Sequence, residues 1–285
     1  MKRNKSFDNK LPLLYLVAVP IGNLKEMTPR ALEVISECDL VASEDTRNTK
    51  SLLSKFGIKK ECISLREHNE VKASLDVIEK IKNGVKVVYM SDAGYPTISD
   101  PGKILVQKAK ENDIVVSTVA GSSAFLNALC SSKLPSTRFY FHGFLDSNEN
   151  HAKKELELLK DREETLIFYD SPHRIDKTLK NMFLVFGDRD ATIGRELTKI
   201  NEEFIECTLE ELTHLDKETL KGEMVVIVDG KKAETTEIND DEIITLVNEF
   251  LQNGSSKKDA IKEVSKKLNI SKNYVYDLVN KEIIK

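Results

Sequence analysis

Cysteine is scarce in this chain, and the four present are scattered. Cys38, Cys62, Cys130 and Cys207 form no C-x-x-C pair. That spacing excludes a disulfide framework and a structural zinc site, and it fits a reducing, cytoplasmic setting. The five histidines (His68, His142, His151, His173, His214) show no ligand spacing, so no metal is expected. A long hydrophobic run is also missing. The longest, Pro12 to Ile21, falls well short of the ~20 residues that cross a bilayer. It follows a basic start (Lys2, Arg3, Lys5, Lys10), but Asp8 and Asn9 interrupt that start and no A-x-A-like cleavage site follows. Residues 1–12 are therefore expected to be a flexible tail before the first strand, with no role for a membrane. The nucleotide signatures are absent too. One glycine follows the first strand, in Val19-Pro20-Ile21-Gly22-Asn23, with no G-x-G-x-x-G and no P-loop lysine. Nicotinamide dinucleotides and nucleoside triphosphates are disfavoured on that ground. No Ser/His/Asp nucleophile elbow is recognisable.

Charge of one sign is not in large excess either. The formal net charge is −4 over 285 residues, which argues against indiscriminate nucleic-acid binding while permitting a local basic surface. Two regions are locally basic: the first 60 residues and the end of the chain. From Gly254 onward, eight lysines face four acids.

What is present is alternation. Leu13–Val19, Leu40–Ala42, Ile63–Leu65, Val85–Met90 and Ile114–Val119 have strand composition, and helical patterns separate them. This predicts an α/β unit over 13–134 with a parallel sheet and covering helices. A second α/β unit, over 135–229, has more consecutive strands, which predicts a mixed sheet. A polar stretch without apolar periodicity, 230–239, is expected to be a linker. Three short amphipathic helices follow over 240–285. The first carries Ile243, Ile244, Val247, Phe250 and Leu251 on one face, and the last turns Val275, Leu278 and Val279 inward. Two short helices after a supporting one make a helix-turn-helix-like pattern. A bundle used only for packing would show the same pattern.

Chemistry concentrates where strands end. Residues 91–102 read S-D-A-G-Y-P-T-I-S-D-P-G, far longer than an ordinary strand-to-helix connection. Such loops at the carboxyl ends of parallel strands are where open α/β sheets hold ligands. Ser43-Glu44-Asp45-Thr46-Arg47 packs two acids and an arginine at another strand end, although helix capping alone would account for part of it. Ala120-Gly121-Ser122-Ser123-Ala124-Phe125 is small-residue-rich before a helix, which lets a ligand approach the backbone. Tyr169-Asp170-Ser171-Pro172-His173-Arg174 and Gly194-Arg195-Glu196-Leu197-Thr198 are two more such loops.

These segments, taken in order with Leu14–Leu24 and Gly222-Glu223-Met224, resemble the tetrapyrrole-methylase superfamily. Within it they are most similar to the branch that methylates bacterial small-subunit ribosomal RNA. The resemblance runs from about Leu13 to Val228, and the C-terminal helices match that branch's helix-turn-helix extension. One departure is V-A-G-S-S-A in the third loop, where many members have Pro-Gly-Pro-Ser; it changes loop stiffness more than role.

The resemblance implies two α/β domains with S-adenosylmethionine between them. It also implies 2′-O-methylation of a cytidine in 16S ribosomal RNA, a homodimer, and an assembled 30S particle as substrate. Pro20, Ile21 and Gly22, then Asp92, Ala93, Gly94 and Ile98, then Ala124 and Phe125, and finally Tyr169 and Met224 would line the cofactor site. Ribose methylation needs a proton acceptor. Asp45 and Glu44 are the first candidates, His68 and Glu196 come next, and Arg47 would hold phosphate or orient a carboxylate. Lys257, Lys258, Lys272, Asn273 and Tyr274 are the expected RNA contacts. Two other readings fit the same residues: a methylase of a small tetrapyrrole, for which the tail has no evident use, and a metabolite-sensing DNA-binding regulator.

Overall fold

The computed structural model describes residues 13–232, 239–268 and 270–282. The expected tail, 1–12, and most of the expected linker, 233–238, lie outside the described residues.

The first five strands are β1 (Leu13–Val17), β2 (Leu40–Ser43), β3 (Glu61–Ser64), β4 (Val87–Met90) and β5 (Val115–Val119). They form one sheet in the order β3-β2-β4-β1-β5, and every pairing is parallel. Helices α1 (Pro29–Glu37), α2 (Thr46–Lys55), α3 (Glu70–Lys82) and α4 (Lys103–Glu111) alternate with these strands, and α5 (Ala124–Ser131) follows the last of them. A parallel sheet covered on both faces needs strands apolar on both sides, and β2 and β4 are buried at every position. Leu14, Leu40, Val77, Tyr89 and Leu105 fill one face; Val17, Ile35, Val41, Val88 and Met90 fill the other. The order places β4, β1 and β5 side by side, so the loops that leave their carboxyl ends are neighbours.

The second sheet contains β6 (Phe139–Phe144), β7 (Thr165–Asp170), β8 (Asp190–Arg195), β9 (Glu203–Thr208) and β10 (Met224–Val228). Its order is β6-β7-β10-β8-β9. Only β6 and β7 run parallel, so the sheet is mixed as expected. One face packs on α6 (Glu149–Leu159), α7 (Ile175–Phe186) and α8 (Leu209–Thr213), with Leu156, Phe168, Leu179 and Val226 in the core. The other face receives Phe125, Ala128 and Leu129 of α5, which meet Ile167, Val225 and Ile227. A helix that belongs in sequence to the first sheet thus covers the second, and the chain as far as Lys231 forms one compact unit.

The residues from Lys232 form a second unit. Its helices are α9 (Asp240–Gln252), α10 (Lys257–Lys267) and α11 (Lys272–Glu282). Ile243, Val247, Ala260, Ile261, Val264, Val275 and Val279 make its core. Ser256 caps α10, with its Oγ accepting from the Asp259 N–H at 3.2 Å. Among the described residues no helix is long and apolar enough to cross a membrane.

Candidate active site

Three neighbouring loops make one wall. After β1 the chain reaches Val19, which pairs with Gly94 through two backbone bonds, Val19 N–H to Gly94 O at 2.9 Å and Gly94 N–H to Val19 O at 3.1 Å. Gly94 holds φ at +65°, a conformation that costs an L-residue roughly 1–2 kcal/mol. The next residue, Tyr95, accepts a bond at its Oη from the Gly121 N–H at 3.2 Å, which ties in the loop after β5. The far end of the long loop is held from α3. The buried Glu70 carboxylate uses one oxygen, Oε1, to accept from Gly102 N–H at 2.9 Å and Ile104 N–H at 2.7 Å. Those amides open α4 and have no partner within the helix, so a carboxylate there also meets the positive end of the helix dipole. Between the anchors, Thr97 and Ser99 both take left-handed backbone, with φ of 74° and 63°. Strain of that kind persists where surrounding structure over-determines it, commonly at functional sites.

The opposite wall comes from the second sheet. The end of β7 supplies Tyr169 and Asp170, the start of β10 supplies Met224, and the turn after β8 supplies Glu196 and Lys199. Phe125 stacks on Phe141 at 4.5 Å, and Phe141 and Phe144 each meet Tyr169, at 5.1 and 5.4 Å. Burial pushes the Tyr169 phenol up to about 12. Asp170 is 3 % exposed. Its Oδ1 accepts from Arg174 Nε and from the Ser171 N–H, both at 2.7 Å, while its Oδ2 has no partner. The Ser123 hydroxyl, on the facing wall, is likewise buried and unpartnered.

Between the walls lies a cleft of about 300 Å³, the lower end of the usual size for a small-molecule site. Its lining is apolar at Ile21, Ile98, Phe125 and Met224 and acidic at Asp100, Asp170, Glu196 and Glu223, with Lys199 as its cation. Asp170 and Glu196 are paired, with Arg174 at 2.7 Å and Lys199 at 3.0 Å. Burial, and then the nearby charge of Glu44, raises the Asp100 carboxyl to about 7; Asp92 and Glu223 add to the effect and the Ser91 hydroxyl opposes it.

A family model for tetrapyrrole (corrin/porphyrin) methylases matches residues 13–213. The ribosomal RNA small subunit methyltransferase I of Bacillus subtilis is 39% identical over 97% of this chain and 98% of its own length. The protein of the same name from Halalkalibacterium halodurans is 40% identical over 99% and 100%. The chain belongs to the tetrapyrrole methylase family. Among solved structures, uroporphyrin-III C-methyltransferase from Thermus thermophilus aligns with a TM-score of 0.56 at 19% identity, over 77% of this chain and 94% of that one. Diphthine synthase aligns at 0.58 and 17%, over 79% and 92%. These two likenesses concern the fold.

On this tetrapyrrole-methylase fold, the structure brings Ile21, Ala93, Gly94, Ile98, Ala124, Phe125, Tyr169 and Met224 together in the cleft. Pro20, Gly22 and Asp92 are not brought into that lining: they line a separate hollow of about 130 Å³ with Asn48, Thr49 and Ser91. Asp92 accepts from Asn48 Nδ2 at 2.7 Å and from the Asp45 N–H at 3.3 Å, so it braces the loop after β2. Gly22 has its space taken by protein, since a Cβ there would come within 2.6 Å of Lys199 Cγ.

Asp45, expected as a proton acceptor, lies outside the cleft's lining. It caps α2 and accepts from the Arg47 N–H at 2.9 Å and from its guanidinium at 3.1 and 2.6 Å. Those bonds hold its carboxyl far below the usual carboxylate range, which leaves a poor base. Arg47 is committed to that pair, and Arg66 stands 3.6 Å from the same carboxylate. Burial raises the Glu44 carboxyl, but neither Glu44 nor His68 lines the cleft; His68 is exposed in a 3₁₀ turn at Glu67–Asn69. Glu196 does line it, bound to Lys199.

Sequence reasoning missed Asp100, Asp170 and Glu223, although each sits in a loop rich in candidate residues. The second Asp of the 91–102 loop was the available signal. In the C-terminal unit, Lys258, Lys272 and Asn273 are exposed. Lys257 Nζ donates to Asn280 Oδ1 at 2.7 Å, and Tyr274 Oη donates to Asp240 Oδ1 at 2.7 Å. Those two side chains therefore link the helices of the bundle.

Proposed function

We propose that this protein methylates the ribose 2′-hydroxyl of a cytidine in 16S ribosomal RNA, within an assembled 30S particle, as a cytoplasmic homodimer. Methylation of ribosomal RNA with S-adenosylmethionine as donor is supported by near full-length relatives named ribosomal RNA small subunit methyltransferase I; the ribose, the cytidine, the particle and the dimer are the proposed part. A small-tetrapyrrole substrate is disfavoured by near full-length similarity to relatives named for ribosomal RNA.

One observation carries the reading: a partly apolar cleft lined by four carboxylates, of which Asp170 is paired with Arg174 and Glu196 with Lys199, leaving Asp100 and Glu223 without a cation partner in the lining. That excess suits a ligand with sulfonium and ammonium charges. The unpartnered Asp170 Oδ2 and Ser123 Oγ offer hydrogen-bonding capacity that the protein leaves unused. Ile21, Phe125, Tyr169 and Met224 would flank its aromatic end, and Asp170 and Glu223 its charged end. When bound, the cofactor supplies an electrophilic methyl carbon and a neutral thioether leaving group. The protein must then orient the nucleophile, and the braced loops are suited to that. Lys258 and Lys272, exposed on the tail, would add phosphate contacts.

The test is transfer of labelled methyl from S-adenosylmethionine to 30S subunits that lack the modification. Label in 16S RNA at an alkali-resistant phosphodiester linkage is expected, because a 2′-O-methyl group blocks cleavage. Label on a base, or none, overturns the reading. Sequence-specific, salt-dependent binding of duplex DNA without transfer would favour the regulator.

A further inference from the structure

We propose that Asp100 accepts the proton of the ribose 2′-hydroxyl as the methyl group is transferred. The inference rests on the ribose reading above and names the group that reading lacks.

It is reached by elimination among the cleft's own acids. Asp170 is paired with Arg174 and Glu196 with Lys199, so taking up a substrate proton at either would disrupt an ion pair. Asp45 is tied to Arg47 and lies outside the lining, as does Glu44. Asp100 and Glu223 remain. Glu223 is exposed, whereas Asp100 is half-buried beside Ser91.

The position of Asp100 is also fixed more tightly than a surface loop requires. It follows the left-handed Thr97 and Ser99. Two residues later the Gly102 N–H is clamped by Glu70. A group held that way from both sides is placed for directional chemistry.

The groups whose charge reaches Asp100 are Glu44, Asp92 and Glu223, with Tyr89 and Tyr169 on the strands beneath; both phenols are pushed upward by burial and stay neutral near pH 7. The resulting value of about 7 is where a general base works best at neutral pH.

The step balances. The 2′-oxygen forms a bond to the methyl carbon, and the carbon–sulfur bond breaks with its electron pair going to sulfur. The hydroxyl proton passes to the Asp100 carboxylate, which returns it to water.

Single-turnover methylation of unmodified 30S subunits by full-length protein tests this. Asp100→Asn should lower the rate by about 10²–10⁴-fold, while S-adenosylmethionine affinity measured by calorimetry changes far less. In the wild type the rate should rise with pH and level off near 7, and the Asn variant should lose that break. Glu44→Gln should keep the break and move it to lower pH, because a like charge that raises the Asp100 carboxyl is gone. A merely structural Asp100 would move none of these breaks. Ribose-methylated product with a near wild-type rate in Asp100→Asn, or an unchanged break in that variant, overturns the inference alone. Label on a base overturns the reading beneath it, and the inference with it.

Discussion

Replacing Glu70 tests how the long loop is held, because one oxygen of its carboxylate carries both bonds to the start of α4. In Glu70→Ala the shared acceptor vanishes, and the Gly102 and Ile104 amides are left without that partner in a largely buried place. Hydrogen bonds to a charged group contribute roughly 1.5–3 kcal/mol each, so a loss of about 3–6 kcal/mol is expected. Alanine is itself a good helix former, and α3 gives none of that loss through propensity. Glu70→Gln is the informative partner. Its amide oxygen can occupy the place of Oε1 and keep both bonds, so only the charge is lost. Charge at a helix N-terminus contributes about 0.3–1 kcal/mol, and up to ~2 when partly buried. For a unit of this size each kcal/mol moves Tm by about 2–4 °C, which separates the two variants clearly. The chain has no Trp, so far-UV circular dichroism is the natural signal for urea and thermal unfolding. S-adenosylmethionine affinity should fall in the same order, Ala more than Gln, because that anchor holds the loop that brings Ala93, Gly94 and Ile98 to the cleft. Equal losses in the two variants, or an Ala variant within about 0.5 kcal/mol of wild type, would refute this account of the loop.

Asp170→Asn leaves the Arg174 guanidinium without its carboxylate. A loss of about 3 kcal/mol in urea unfolding is expected, the low end for a broken buried pair because Arg174 keeps some solvent. Asp100 sets a pH dependence whose sign follows from its raised value. The folded state binds a proton that the unfolded chain has released between about pH 4 and 7, so this group's contribution lowers stability as pH climbs through that window and is level above it. Asp100→Asn should therefore raise Tm at pH 8 and change it little at pH 4. Deleting the chain from Asp240 should leave S-adenosylmethionine affinity intact, since the cleft lies within the first unit. It should weaken 30S binding and flatten its salt dependence by up to about one unit of slope for each phosphate that the tail neutralises. An unchanged slope would mark the helices as packing only.

Much of the first sheet was legible because alternation is a one-dimensional signal. β-branched runs such as Val87-Val88 end in loops too rich in Gly, Pro and Asp to be simple turns. The mixed character of the second sheet was readable for the same reason. Strand order was not, and it decides which loops meet: β4 lies between β2 and β1 although two strands separate it from β1 in sequence. Apolar periodicity predicts α3 from Leu75, but the helix begins at Glu70. Its first turn, Glu70-Val71-Lys72-Ala73, carries two charged residues and leaves Val71 58% exposed, so the periodic signal starts late. The function of Glu70 lies in a bond to residues 32 and 34 positions away, which no local pattern encodes. Asp92 and Asp100 illustrate the same limit. Both are aspartates in one loop, and the sequence favours the one nearest the strand. Burial and neighbouring charge distinguish them, and both depend on the complete fold.

The Val19–Gly94 pair and the Tyr95–Gly121 bond have a kinetic consequence. Together they cross-brace the loops of three strands, so none of these loops can open without breaking a hydrogen bond to another. The facing turn has less to hold it: Ile200 is fully exposed, and the Glu196–Lys199 pair is a bond within the turn itself. The lower-energy local openings therefore belong to that turn. In amide exchange, Val19, Gly94 and Gly121 should be among the slow sites lining the cleft, while the amides of Ile200 and its neighbours exchange early. Entry and exit of a ligand would then be paced from the second sheet's side, against a first-sheet wall that stays in place throughout.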